Sequence, residues 1–161
     1  MIKDFVSGSY KADPRKKVQS DTRTSWHTFM FVSHCRYKVF GKQSTIDACT
    51  RGFKELEAYG FEFGDIGFAG THVHGMVNIP KKYSYQNAEI MLKNHSTQRI
   101  FLEKPNFIKL YPDKHFWSGY EHHQSVGVEM QAAKTYIKNQ QKHHNVKVVD
   151  DVQKTLLTFT N

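Results

Sequence analysis

Apolar and polar positions change period several times along this chain, and each change marks an element. The run WHTFMFVS at 26–33 is rich in aromatic and β-branched residues and predicts a buried first strand, followed by the polar turn HCRYK. Ile46, Cys49, Phe53 and Leu56 then recur at helical spacing. Ser44 stands where an N-cap belongs, Asp47 lies three residues on near the positive helix end, and Gly60 supplies the stop. FEFGDIGFA at 61–69 predicts a second strand, and a tight turn at Gly70 leads into HVHGMVNIP. In that third strand Val73, Val77 and Ile79 point one way, while His72, His74, Met76 and Asn78 point the other. Pro80 closes it, and Ser84 caps a second helix whose buried stripe of Ala88, Met91 and Leu92 runs toward Phe101. LEKPNFIKLYPDK reads as a loop, and HFWSGYEHHQSVG at 115–127 as a fourth strand with a bulge or bend at Gly119. Residues 128–143 return to helical spacing through Met130, Ala133 and Ile137.

Strand, helix, strand, strand, helix, strand is the order of a ferredoxin-like α+β fold. It predicts a βαββαβ antiparallel sheet with its helices on one face, plus an appended C-terminal helix. The opposite face is left for a site or a partner. Residues 1–24 are polar and basic without a hydrophobic period and read as an N-terminal extension that contributes charge more than core. The domain then spans 25–144, and 145–161 form a C-terminal tail.

The 161 residues, 39% hydrophobic and 14% aromatic, suit one compact domain and exclude a disordered chain. No window approaches the roughly 18 consecutive apolar residues of a membrane span, and the N-terminus lacks an apolar signal core. A soluble, cytoplasmic protein with no membrane partner is expected. Lys and Arg number 23 against 15 acids, a formal charge of +8, so an anionic partner is the first expectation and nucleic acid the first example. Cys35 and Cys49 have no Cys-x-x-Cys spacing, which speaks against a disulfide framework and a Cys-type zinc site.

Candidate chemistry begins at Thr71-His72-Val73-His74-Gly75-Met76-Val77. Histidines at i and i+2 of a strand lie about 6.5–7 Å apart on one face, so both imidazoles can reach one divalent ion. In a chain with ten histidines the spacing alone is weak, and a half-exposed polar face is an equal explanation. Gly75, directly after the pair, leaves room for a substrate backbone to approach. Such a site needs a further protein ligand. On the last helix Tyr136 and Gln140 are one turn apart, so Gln140 can present its oxygen to a cation with Tyr136 beside it. A tyrosine at the edge of a packed helix is the bland alternative. Tyr120 and Gln124 repeat the spacing, but on a strand they stand about 13 Å apart and cannot converge.

Taken together, these residues resemble the single-tyrosine HUH transposases of small insertion sequences, the IS two-hundred/six-hundred-five class. The first strand with CRYKVF looks like that family's opening strand and basic turn, and HVHGMVNIPKKYS like its His-hydrophobic-His strand. MLKNHSTQRIF is similar to its second helix, FWSGYEHHQSVG to its Trp-x-x-Gly-Tyr strand, and TYIKNQ to its Tyr-x-x-x-Gln helix. The resemblance runs collinearly over about 25–144. Glu121, His122 and His123 depart from it, standing where the family is usually apolar.

The resemblance implies a DNA transposase that cleaves and rejoins single-stranded DNA through a 5′-phosphotyrosine. Tyr136 matches the nucleophile, and His72, His74 and Gln140 match the ligands of Mg²⁺ or Mn²⁺. It implies single-stranded DNA with hairpins at the element ends as substrate, a homodimer, and no nucleotide cofactor. Arg36, Lys38, Lys81, Lys82, Lys93 and Arg99 lie in or near the DNA-facing segments and are expected to engage phosphates, with Tyr37 and Tyr83 available to stack on bases. Three other readings stand beside it: a non-catalytic single-strand-binding module, a metal-dependent hydrolase using activated water, and a domesticated relative tied to repeated palindromes.

Overall fold

The structure is a computed structural model, and the residues it describes are Ser9, Tyr10 and 25–126. Five strands form one antiparallel sheet: β1 (Ser9–Tyr10), β2 (Trp26–Ser33), β3 (Glu62–Ala69), β4 (His72–Asn78) and β5 (Trp117–Ser125). Their order across the sheet is β1-β3-β4-β2-β5. The last four strands, with α1 (Gln43–Lys54) and α2 (Tyr85–Glu103), make the ferredoxin-like unit expected from the element order. β1 is an addition to it. The extension, expected to contribute charge more than core, places Ser9 opposite Gly67 and Tyr10 opposite Ile66, lengthening the sheet at the β3 edge.

Both helices pack on one face. Ile46, Cys49, Phe53 and Leu56 from the first helical segment, and Ala88, Leu92 and Ile100 from α2, are buried against Phe29, Phe31, Ile66, Phe68, Val73 and Val77 of the sheet. The helices cross where Gly52 meets Ser96. A Cβ on Gly52 would lie 2.5 Å from the Ser96 Cα and 2.7 Å from the His95 carbonyl oxygen, so the absent side chain sets the separation. Ser96 also receives the Trp117 indole N–H at 2.9 Å, which ties α2 to β5 inside the core.

Several boundaries differ from expectation for local reasons. α1 starts one residue before Ser44, with Lys42 at its N-cap, and the Ser44 hydroxyl instead accepts a 2.5 Å hydrogen bond from Lys104 Nζ. The first helix tightens to a 3-10 turn over Glu55–Tyr59 before Gly60 ends it at φ +91°. Ser84 does cap α2, accepting from the Asn87 N–H at 3.2 Å. The segment read as a loop holds a 3-10 helix at Pro105–Lys109 and delivers Tyr111 to the core at 2% exposure. The β2–β5 register shifts between Phe31 and Ser33, whose partners Glu121 and Trp117 flank Gly119, the position expected to bend. The face away from the helices is not wholly open, because Trp26 and Met76 are buried there with Val126 packed against them. The expected helix over 128–143, with Tyr136 and Gln140, and the tail from 145 lie outside the described residues.

Candidate metal and nucleic-acid site

β4 carries the pair of histidines because its alternation is undisturbed. His72 lies opposite Val32 and Ala69, and His74 opposite Met30 and Gly67. Directly opposed residues share a face, so both imidazoles stand on the side of the sheet away from the helices. Their ring centroids are 4.5 Å apart with planes at 86°. Edge-to-face rings at that distance can turn nitrogens toward one point. His74 is 6% exposed and His72 is half-buried, with its Nδ1 3.2 Å from the Thr71 hydroxyl. On the β3 side the neighbours are Gly67 and Ala69, so little side-chain bulk crowds the pair there.

Two neutral imidazoles fit a divalent transition ion or Mg²⁺ completed by oxygen donors. Among the described residues no group of three or more His, Cys, Asp or Glu side chains is placed to hold a metal, so the pair needs donors beyond them. Gln140 is the expected one and lies outside the described residues.

Gly75 has a different purpose from the one its position suggested. It faces the helices, opposite Phe29, and a Cβ there would lie 2.6 Å from both Phe29 Cε1 and Cζ. The missing side chain admits a core phenyl ring rather than a substrate.

The six basic residues divide into two groups. Arg36 and Lys38 are exposed on the turn after β2, which is hydrogen-bonded to the residues just before His72: Ser33 N–H to Thr71 O at 2.8 Å and Phe40 N–H to Gly70 O at 2.9 Å. Lys81 and Lys82 are exposed past the far end of β4, Lys82 Nζ lying 5.2 Å from the Tyr83 ring. Lys93 and Arg99 sit on α2, in the helical layer. Lys93 pairs with Glu89 at 2.5 Å and rests 5.1 Å from the Phe31 ring, and Arg99 binds Glu55. Partial burial alone would raise the Glu55 carboxyl, but hydrogen bonds from His95 and Arg99 outweigh it and hold the pKa below its ordinary value.

A second polar cluster, unremarked in the sequence, fastens α2 to the edge strand on the helical side. The Tyr85 ring stacks on His123 at 3.6 Å, its hydroxyl donates to Glu121 at 3.2 Å, and His27 lies 5.3 Å from the same ring. Glu121 and His123, two of the departures from the resemblance, therefore have packing partners. Burial and the His123 charge lower the His27 pKa, against the opposing effect of its hydrogen bond to the Ser25 carbonyl. The signal was available in the alternation of β5, which sends 121 and 123 to the side opposite 122. Tyr120 and Gln124 are both on β5, so they do not converge as a helical pair would.

A ferredoxin-like sheet with paired histidines on the side away from α1 and α2 defines the class. Comparison with known proteins takes this further, for residues 22–140 match the family described as Transposase IS200 like. The chain belongs to that family. Among solved structures it is similar to a candidate transposase from Deinococcus radiodurans R1, with TM-score 0.59 and 17% identity over 78% of this chain and 97% of that one. It is also similar to a REP-associated tyrosine transposase bound to a REP hairpin, with TM-score 0.54 and 11% identity over 76% and 69%. No curated protein matches the chain in sequence. Among the described residues, no helix is long and apolar enough to cross a membrane.

Proposed function

We propose that this chain cuts and rejoins single-stranded DNA, with Tyr136 as nucleophile and His72, His74 and Gln140 as ligands of Mg²⁺ or Mn²⁺. The observation that carries the reading is the approach of two imidazoles on one sheet face, in a chain whose family match runs through residue 140. The hairpin held by the second structural neighbour supports single strands with hairpins at the element ends as substrate. A homodimer, in which the tyrosine helix can complete the partner's site, belongs to the same proposal.

A phenol with its ordinary pKa of about 10 is a weak nucleophile toward an anionic phosphodiester. Held by His72, His74 and Gln140, a divalent ion would supply charge neutralisation at the scissile phosphate. His72 and His74 bind through neutral nitrogens, so acid that protonates them opposes loading. Their places on a paired strand fix where the phosphate rests and so orient it for attack. The Tyr136 oxygen bonds to phosphorus and gives up its proton, and the 3′-oxygen leaves, taking up a proton to become a hydroxyl. A second 3′-hydroxyl then attacks the 5′-phosphotyrosine, releasing the phenol and sealing the strand with no nucleotide cofactor. We assign the first phosphate contacts to Arg36, Lys38, Lys81 and Lys82, because Lys93 and Arg99 would first have to leave their carboxylates.

The test is incubation with pooled labelled single-stranded oligonucleotides and Mn²⁺, followed by a denaturing gel. A covalent adduct is expected. Tyr136→Phe removes it while leaving DNA binding intact, His74→Ala removes it at ordinary metal concentrations, and Tyr120→Phe leaves it unchanged. Adducts that persist in excess chelator refute the metal assignment. Binding without cutting points to a binding module, and free ends without adduct point to activated water. The REP-associated neighbour favours one second reading, a domesticated relative acting on repeated palindromes.

A further inference from the structure

We infer that the turn after β2 and the loop before β5 together form a platform for an unpaired nucleobase, beside the His72 end of the sheet. The inference rests on the single-stranded substrate proposed above. The His34 and His115 rings stack with centroids 4.8 Å apart and planes at 4°, and the His34 N–H donates to the Phe116 carbonyl at 2.7 Å, joining the two loops. Tyr37, 40% exposed, stands on the same turn. Buried Tyr111 anchors both exposed parts, edge-on to Tyr37 at 5.6 Å and with its hydroxyl donating to the His34 carbonyl at 3.4 Å. Rings held in this way lose little freedom when a base stacks on them.

The backbone supports the same conclusion. Among the described residues, the non-glycine positions with positive φ are Cys35 (58°), Arg36 (50°) and Lys114 (54°), all in these two loops. Such conformations persist where surroundings enforce them, and they gather at ligand clamps. Exposed Arg36, Lys38 and Lys114 lie on the same two segments as the rings, with Asp113 as the acid beside Lys114. Flat rings and cations carried on the same loops suit a base together with its own phosphate. Val32 lies opposite His72, two residues before His34, and the Ser33 N–H donates to the Thr71 carbonyl at 2.8 Å, so the platform adjoins the end of β4 that carries the histidine pair.

The probe is a short thymidine homopolymer, compared with an abasic strand of equal length and charge, both bound to the full chain. The homopolymer is expected to bind about tenfold more tightly. His115→Ala and Tyr37→Ala abolish that preference without changing affinity for the abasic strand, and Tyr37→Phe retains it. Arg36→Gln weakens both strands and lowers the salt dependence. Equal binding of both strands by the unaltered chain, or equal weakening of both by the aromatic variants, overturns the inference. Adducts without base preference refute the platform alone, whereas base preference lost in these variants without any adduct refutes the catalytic reading alone.

Discussion

His72 and His74 occupy alternate positions of β4 and approach each other on one face, while Gly75 turns its empty side to the core. The separation of roles yields a direct expectation for Gly75→Ala. The new methyl group would lie 2.6 Å from two atoms of a fully enclosed phenyl ring. Overpacking of that kind costs about 1–3 kcal/mol, which urea denaturation measures as a lower midpoint at unchanged slope. Unchanged stability with slower cleavage would instead restore the substrate-approach role. The histidine pair was legible because strand alternation depends on sequence alone. The purpose of Gly75 was not, because nothing local says that Phe29 is the residue opposite. His34 and His115 were illegible for the same reason: they are 81 positions apart and meet only through the pairing of two loops.

At the scale of elements, α1 and α2 meet where Gly52 faces the backbone of Ser96 and His95. Replacing Gly52 by Ala would gain about 1 kcal/mol of helix propensity, yet the added carbon meets backbone atoms of Ser96 and His95, which cannot rotate away. Overpacking should prevail, toward the upper end of about 1–3 kcal/mol, with the Trp117–Ser96 hydrogen bond disturbed as the helices part. Thermal melting followed by tryptophan fluorescence reads both effects, and a melting point at or above that of the unaltered chain would contradict them. Strand and helix identities followed well from period: 26–33 was expected and is observed, and Ser84 caps as read. Ser44 does not cap, because the chain enters α1 at Lys42 and leaves the hydroxyl to a lysine sixty residues away. Tyr111 was hidden because its neighbours Leu110, Pro112 and Asp113 are exposed and carry no period that would mark one buried ring.

For the whole molecule, stability should depend on pH through His27. Its folded pKa lies below the ordinary 6.5, chiefly through burial, so the unfolded chain binds the proton more readily. The stability contributed by the neutral ring is therefore complete above pH 6.5 and is lost as pH falls through 6.5 toward the lower folded value. A melting temperature that drops between pH 7 and pH 5, and drops less in His27→Gln, is expected. His27 lies against the Tyr85 and His123 rings, so comparing each protein with itself across pH separates the lost proton site from the lost packing in the variant. The order of four strands followed from the order of elements, but the short β1 had no hydrophobic signature to announce it. Its two residues cover only Gly67 and Ile66 of their neighbour. A chain begun at residue 25 would uncover the outer backbone amides and carbonyls of β3 at Gly67 and Ile66, an invitation to strand exchange between molecules. Such a shortened protein should sediment as larger species than the full chain, so purification tags and trimmed expression versions belong at the other terminus.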